Sequence, residues 1–434
     1  MTSSLSVGIG RQDITPPLGS WLMGYAPARR AESVGDPLHI TVFAFEYAGV
    51  RSLLSTADVC LIGNPLSTEI RREMSAASGV PFEHIILSAT HTHSGPPMRA
   101  TAGEAPVDPE YINQLFIPAA KKAAAEAVAA LRPALVGVGE IHSDVGVNRR
   151  GIALNGSITL GQDPYGTYDP IMTVVSFREP DGKAIGNLIH YGAHNTASGK
   201  NPEITRDWCG VAIDRLEAES GGITAFFNGC EGDTGPRLPN GQTTGNYQMA
   251  QELGGRAAID AVNAWRSIKE WRADLPMKVT TEDITLPLKP LPEEETLIQE
   301  IESLGDPEKL VGLHYSGYAL LLDRLELIRS GGGKQSEPVS TTVISVGPVA
   351  FLAVPFEVFS RITLRIRQYS PYPYTLSLSN GNGNLFYFPS QDQLIRGGYE
   401  VWLFTSFKTQ PFADDSEQHY VVGAVDLLNN LNKQ

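Results

Sequence analysis

Short apolar runs alternate with stretches whose apolar residues recur at helical spacing along most of the chain, the pattern of an α/β protein. Residues 40–47 and 52–61 read as strands, and residues 48–51 between them hold Gly49, a hairpin signal. Further strands are predicted at 84–90, 134–139, 171–177, 185–190, 277–286, 341–354 and 374–379. Helices are predicted at 68–77, 111–131, 245–265 and 357–368. The clearest is 111–131, where Leu115, Ile117, Ala119 and a run of alanines from Ala123 lay an apolar stripe along one face. Residues 291–333 differ in character: they are charged, helical in pattern at 293–304 and 315–330, and close on Gly331, Gly332 and Gly333. No linker elsewhere is long and polar enough to separate domains. The expectation is one composite α/β domain over residues 1–434 with a helical insertion at 291–333.

Composition narrows the function. Lys and Arg number 34 against 48 Asp and Glu, so the net charge is −14, a surface that repels polyphosphate. Nucleic acid is therefore not an expected partner. No apolar run approaches the roughly 18 residues of a membrane span, so integral membrane association is not expected either. Cys60, Cys209 and Cys230 are widely spaced with no CxxC, which argues against a disulfide framework and a thiolate zinc site. The N-terminal MTSSLSVGIG run lacks the basic and apolar regions of a secretory leader, and a cytoplasmic location is expected.

Three polar clusters follow apolar strand runs. In Thr90-His91-Thr92-His93-Ser94-Gly95-Pro96, extended geometry puts His91 and His93 on the same side, at the strand end where open α/β sheets place ligands. Two neutral imidazoles there are the nucleus of a metal site, or simply a strand cap bonded to backbone. In His190-Tyr191-Gly192-Ala193-His194 the i, i+4 spacing evokes a zincin helix, but Tyr191 stands where that motif needs Glu and Gly192 argues against helix. One of the two is a ligand or both are structural. The loop from Asn228 to Arg237 carries three glycines, Glu231 and Asp233, either a ligand-facing turn or a tight polar one. Cys230 within it has no neighbouring His to activate it as a nucleophile. Glu357 reads as an acid in the first turn of a helix and Tyr387 as a core aromatic.

Taken together, these residues resemble the zinc-bearing catalytic domain of the neutral, non-lysosomal ceramidase family. The likeness runs in order through GIGRQDITPP at 8–17, Met23-Gly24-Tyr25, Asp58, THTHSGP at 90–96, Asn148-Arg149, His194 and Asp207. It continues through the glycine-rich loop at 228–237, PFEVF at 355–359, Phe386 to Pro389, and GGYE at 397–400. The resemblance implies layered sheets covered by helices, α/β/β/α-like. It implies Zn2+ held by His91 (with His93 its neighbour in the pocket), His194, Glu357 and Tyr387. His93, Asp233 and Tyr387 become the catalytic candidates, and Arg149, Asn228 and Gly235 the substrate-binding ones. Gly235 stands where the family's ceramidases carry a serine, in a pattern like GDxSPN. With that departure, no leader and no downstream immunoglobulin-like domain, the expectation is a zinc-dependent amidase of a small soluble substrate rather than of ceramide. An esterase or lactonase would use the same chemistry. A non-catalytic binding protein is the alternative of another class, and retention of all four ligand positions argues against it. The expected partner is a small molecule, and a homo-oligomer is compatible.

Overall fold

The computed structural model describes residues 4–100, 105–273, 275–310 and 312–434. Three sheets of four or five strands form the body. Each contains one parallel pair joined through a helix. Val50–Ala57 and Ile85–Ala89 are joined by Asn64–Ser78, and Ala184–Tyr191 and Ile223–Asn228 by Asp207–Ser220. Val349–Ala353 and Tyr374–Leu378 are joined by Ser360–Tyr369. The other main pairings are antiparallel, as His39–Tyr47 with both Ser6–Asp13 and Val50–Ala57.

Strand parity builds the layers. Along His39–Tyr47, Val42 and Ala44 face the helices Asn64–Ser78 and Ile117–Ala129, while Phe43 and Phe45 face the other sheets. Ile171–Arg178 and Val349–Ala353 divide the same way. Val175, Phe177, Val349 and Phe351 join the shared inner core. Met172 and Val174 meet Asp207–Ser220 and Tyr247–Arg266, whereas Ala350 and Leu352 meet Ser360–Tyr369 and Ser416–Lys433. The result is helices outside and sheets packed face to face within, with Phe43 and Phe177 rings at 6.0 Å and Phe45 and Phe351 at 6.3 Å across the seam. Gly8 and Gly10 belong to this packing: a Cβ on either would lie 2.1 Å from a carbonyl oxygen of the alanine-rich helix, so helix and strand touch backbone to backbone.

Several elements differ from the sequence pattern for identifiable reasons. The predicted strand at 341–354 is a hairpin, Ser336–Val346 and Val349–Ala353, reversed at Gly347 with φ 54°. The helix predicted from 357 begins at Ser360, because Glu357–Val358 pairs in parallel with Tyr387–Phe388. The helix at 111–131 opens at Pro109 and contains a π turn, Ile112–Phe116, before Ile117–Ala129. Asp207–Ser220 and Ser416–Lys433 are helices beyond the predicted set. In the 291–333 segment, of which residue 311 lies outside the described residues, helices Glu294–Ser303 and Leu313–Arg329 join two directly paired strands, Met277–Pro287 and Ser336–Val346.

Candidate metal centre

The parallel pairs point their C-terminal ends at one spot, where open sheets leave room for ligands. Ala89 leads to His91, Tyr191 to His194, Asn228 to Glu231, Ala353 to Glu357 and Leu378 to Asn380. The loops are tied together by backbone and amide. Thr92 and Asn195 form an isolated parallel bridge, and His93 N donates to the Asn195 carbonyl at 3.2 Å. Two residues bend sharply to present their neighbourhood inward: His91 and Phe386 take left-handed φ values of 68° and 67°. Such backbone costs free energy on a non-glycine residue and clusters at functional sites.

His91, His194 and Glu357 converge as a potential metal-binding group. His91 Nε2 is 3.6 Å and His194 Nε2 3.4 Å from Glu357 Oε2. The tautomers follow from the other ring nitrogens. His91 Nδ1 sits 2.7 Å from the Cys60 carbonyl and His194 Nδ1 2.8 Å from the Glu231 carbonyl. A carbonyl only accepts, so each Nδ1 carries the hydrogen and each Nε2 turns a lone pair inward. Burial lowers His91, with Glu357 opposing; burial and then Arg149 bring His194 down to about 3. Both rings are therefore neutral near pH 7. Burial works against the Glu357 carboxylate, and positive charge at the His91 and His194 side of it is what lowers it; with both rings neutral, a cation held between them would supply that charge.

Three lone-pair atoms thus face one another with no hydrogen among them, and Glu357 Oε2 is buried without a hydrogen-bond partner. A buried carboxylate oxygen left unpaired against two imidazole lone pairs is costly unless a cation joins them. The donor set, two imidazoles and a carboxylate, fits a zinc-type ion.

The remaining predicted residues fall into two groups. Tyr387 and His93 are at the centre. The Tyr387 hydroxyl lies 3.3 Å from His194 Nε2, and His93 Nε2 lies 3.2 Å from His91 Nε2. Burial raises the Tyr387 phenol well above its ordinary value against the pull of Arg149. Cys60, His91 and His93 form an overlapping second group, but His91 Nδ1 is already committed to the Cys60 carbonyl.

Arg149 lies in Gly146–Ile152, a strand paired on both sides, and is 6% exposed. Its Nε donates to Glu400 and its Nη2 to the Tyr387 hydroxyl, both at 2.9 Å, so it supports a candidate ligand from behind.

The other group stands apart. Asp233 accepts from the backbone N–H and hydroxyl of Ser360 at 2.8 and 2.7 Å, at the start of a helix, instead of facing the cluster. Burial pushes it up to about 6, with Ser360 opposing. Asn228 is a brace: its amide donates to the Thr90 and Ala193 carbonyls and accepts from Ala193 N. Gly235 pairs with Val147, and a Cβ there would lie 2.6 Å from Thr243 Cγ2. His190 bonds the Ser377 carbonyl at 2.9 Å and is structural. Cys230 is buried and pushed up to about 12, unsuited to act as a thiolate.

Sequence reasoning gave no role to Glu400, Asn380 or Glu231. Glu400 had a signal as the last residue of GGYE, and Glu231 as one of the two acids of the glycine-rich loop.

Comparison with known proteins agrees with this layout. The fold is similar to the crystal structure of neutral ceramidase from Pseudomonas aeruginosa, with a TM-score of 0.73 at 20% identity, over 99% of this chain and 75% of that one. A structure of a ceramidase complexed with C2 is comparably similar, with a TM-score of 0.74 at 18% identity over 99% and 76%. Among curated proteins none matches. The model of the neutral/alkaline non-lysosomal ceramidase N-terminal domain matches residues 5–252, and the chain belongs to that family, among hydrolases. His91, Arg149 and His194 fall inside the matched span; Glu357 and Tyr387 come from the chain beyond it.

Proposed function

We propose that the chain is a zinc-dependent hydrolase that cleaves the C–N bond of a small, soluble, non-peptide amide with water, and that long-chain ceramide is not its substrate. The observation that carries the reading is the convergence of three ligand atoms, His91 Nε2 and His194 Nε2 at 3.6 and 3.4 Å from Glu357 Oε2, with the Tyr387 hydroxyl beside them. These four would hold the ion. When bound, it polarises a substrate carbonyl and brings the pKa of a coordinated water to about 7.

The chain's own groups supply the rest. Arg149 donates to the Tyr387 oxygen at 2.9 Å, which leaves the phenol's hydrogen for a carbonyl oxygen gaining charge as water adds. Glu400 locks Arg149 from the other side. With His91 Nε2 turned to the ion, His93 Nε2 is freed to relay the proton given up by the attacking water to the departing nitrogen, and burial beside His91 and His194, which lowers it well below its ordinary value, lets it release that proton readily. Burial of His91, His194, Glu357 and Tyr387 to 5% exposure or less excludes bulk water and favours a slim reacting group.

The test is a panel of amides, each matched to an ester and a lactone of the same acyl group, with ceramide included. Assays use protein stripped by chelator and then given zinc. Amide turnover lost on stripping and restored by zinc supports the proposal. Chelator-insensitive turnover, or ceramide cleaved as fast as the best small amide, overturns it.

A further inference from the structure

Glu231 has no exposed surface and takes no role in the steps above, yet it and the next residue touch all three converging ligands. Its backbone carbonyl accepts from His194 Nδ1 at 2.8 Å. Its carboxylate Oε1 lies 4.0 Å from His91 Nδ1 and accepts from Asn380 Nδ2 at 2.6 Å. Gly232 donates its N–H to the Val358 carbonyl at 3.0 Å, and a Cβ on it would sit 2.4 Å from the Glu357 carbonyl oxygen, so the turn lies flush against the third ligand.

Asn380 is itself oriented: its carbonyl accepts from Asn384 Nδ2 at 2.6 Å, and Asn384 in turn accepts from Arg99 at 2.7 Å. That chain turns the Asn380 N–H toward Glu231. Glu231 Oε2, however, is buried with no hydrogen-bond partner. A second carboxyl group beside Glu357, half satisfied and out of water, is expensive. Arg149, the nearby guanidinium, is engaged by Glu400 and Tyr387. A divalent cation among the ligands is the charge that both carboxylates lack.

On the metal-centre reading above, we infer that Glu231 is a positioning residue that compensates the ion's charge. With the ion bound, an ionised Glu231 would add its charge to that of Glu357, while its main chain orients His194. Its charge beyond the His91 Nδ1–H also makes His91 Nε2 a stronger donor, as outer-shell carboxylates do for metal-bound histidines.

Glu231→Gln keeps the size and an oxygen for Asn380 and removes only the charge. The zinc dissociation constant of the full chain is measured by competition with a chromophoric chelator, and the melting temperature of the metal-stripped protein is taken in parallel. The inference predicts roughly 10- to 100-fold weaker zinc binding, with the stripped variant melting no lower than stripped wild type. A residue that merely holds the fold would lower the stripped melting temperature. Unchanged zinc affinity overturns the inference, and so does weaker affinity accompanied by a lower stripped melting temperature. If wild type and His194→Ala both fail to bind zinc, the metal-centre reading itself falls, and the inference with it.

Discussion

Replacing Arg149 by lysine keeps a positive charge in the strand Gly146–Ile152 but removes the planar fork that serves two partners at once. The guanidinium reaches Glu400 through Nε and Tyr387 through Nη2, each at 2.9 Å, with its carbon 5.2 Å from the Tyr387 ring centre. A single ammonium on a flexible stem cannot reproduce both directions. Glu400 keeps a second cation, since Arg150 Nη1 lies 2.7 Å from its other oxygen, so the loss falls mainly on Tyr387. One hydrogen bond from a charged donor in a buried site contributes about 1.5–3 kcal/mol. Expressed on the transition state this is roughly 10- to 150-fold in kcat/KM. Because Arg149 touches neither His91 nor Glu357 by hydrogen bond, zinc content should stay near wild type. Steady-state kinetics on the best small amide, together with zinc analysis of the same preparation, measure both. Wild-type kcat/KM in Arg149→Lys would refute the role given to the Arg149–Tyr387 contact. Loss of zinc equal to the loss of activity would refute the claim that it acts on the tyrosine.

Further outcomes follow from the packing around the site. Gly235→Ser places a Cβ 2.6 Å from Thr243 Cγ2 and should destabilise by about 1–3 kcal/mol. Thr243→Ala removes Cγ2 but leaves Cβ 2.7 Å away, so it should recover only part of that loss in the double variant, and additive losses in a melting cycle would contradict the contact. Asp233 rises on folding from its ordinary 3.8 to about 6, so the folded state holds its proton more tightly than the unfolded one. Its contribution is therefore most favourable below pH 4 and is lost as pH climbs to about 6, a decline on the order of 1–3 kcal/mol. Asp233→Asn keeps an acceptor for Ser360 and should remove that slope from denaturant-derived stabilities measured between pH 4 and 7. An unchanged slope would show that Asp233 does not carry it.

Much of the centre is visible in the chain because it sits at strand ends. THTHSGP and the His190–His194 stretch each follow an apolar run, and parity with turn residues is enough to suggest that histidines gather there. Glu357 and Tyr387 are different. Each lies in a two-residue strand whose only partner is the other, paired residue to residue across distant sequence. Local pattern around Glu357 is dominated by the helix that starts at Ser360, and it draws the acid into the helix. The stretch around Arg149 shows the same effect. Gly146 and Gly151 look like turn residues, and only pairing with Ile158–Asp163 and Thr234–Pro236 makes the stretch a strand. Asn228 and Asp233 show the converse, since polar groups in a glycine-rich loop look ligand-facing whether they face a ligand or brace the backbone. The helix Ser416–Lys433 carries its signal openly, with Tyr420, Val421, Ala424, Leu427, Leu428 and Leu431 at helical spacing and buried. It packs chiefly on the strand Met277–Pro287.

The zinc stoichiometry of the purified chain, determined by elemental mass spectrometry beside His194→Ala, tests the central claim most directly. The account predicts about one zinc per wild-type chain and an empty site in the variant, whose fold is unchanged by circular dichroism. Full zinc occupancy in His194→Ala, or none in wild type after incubation with the metal, would contradict it.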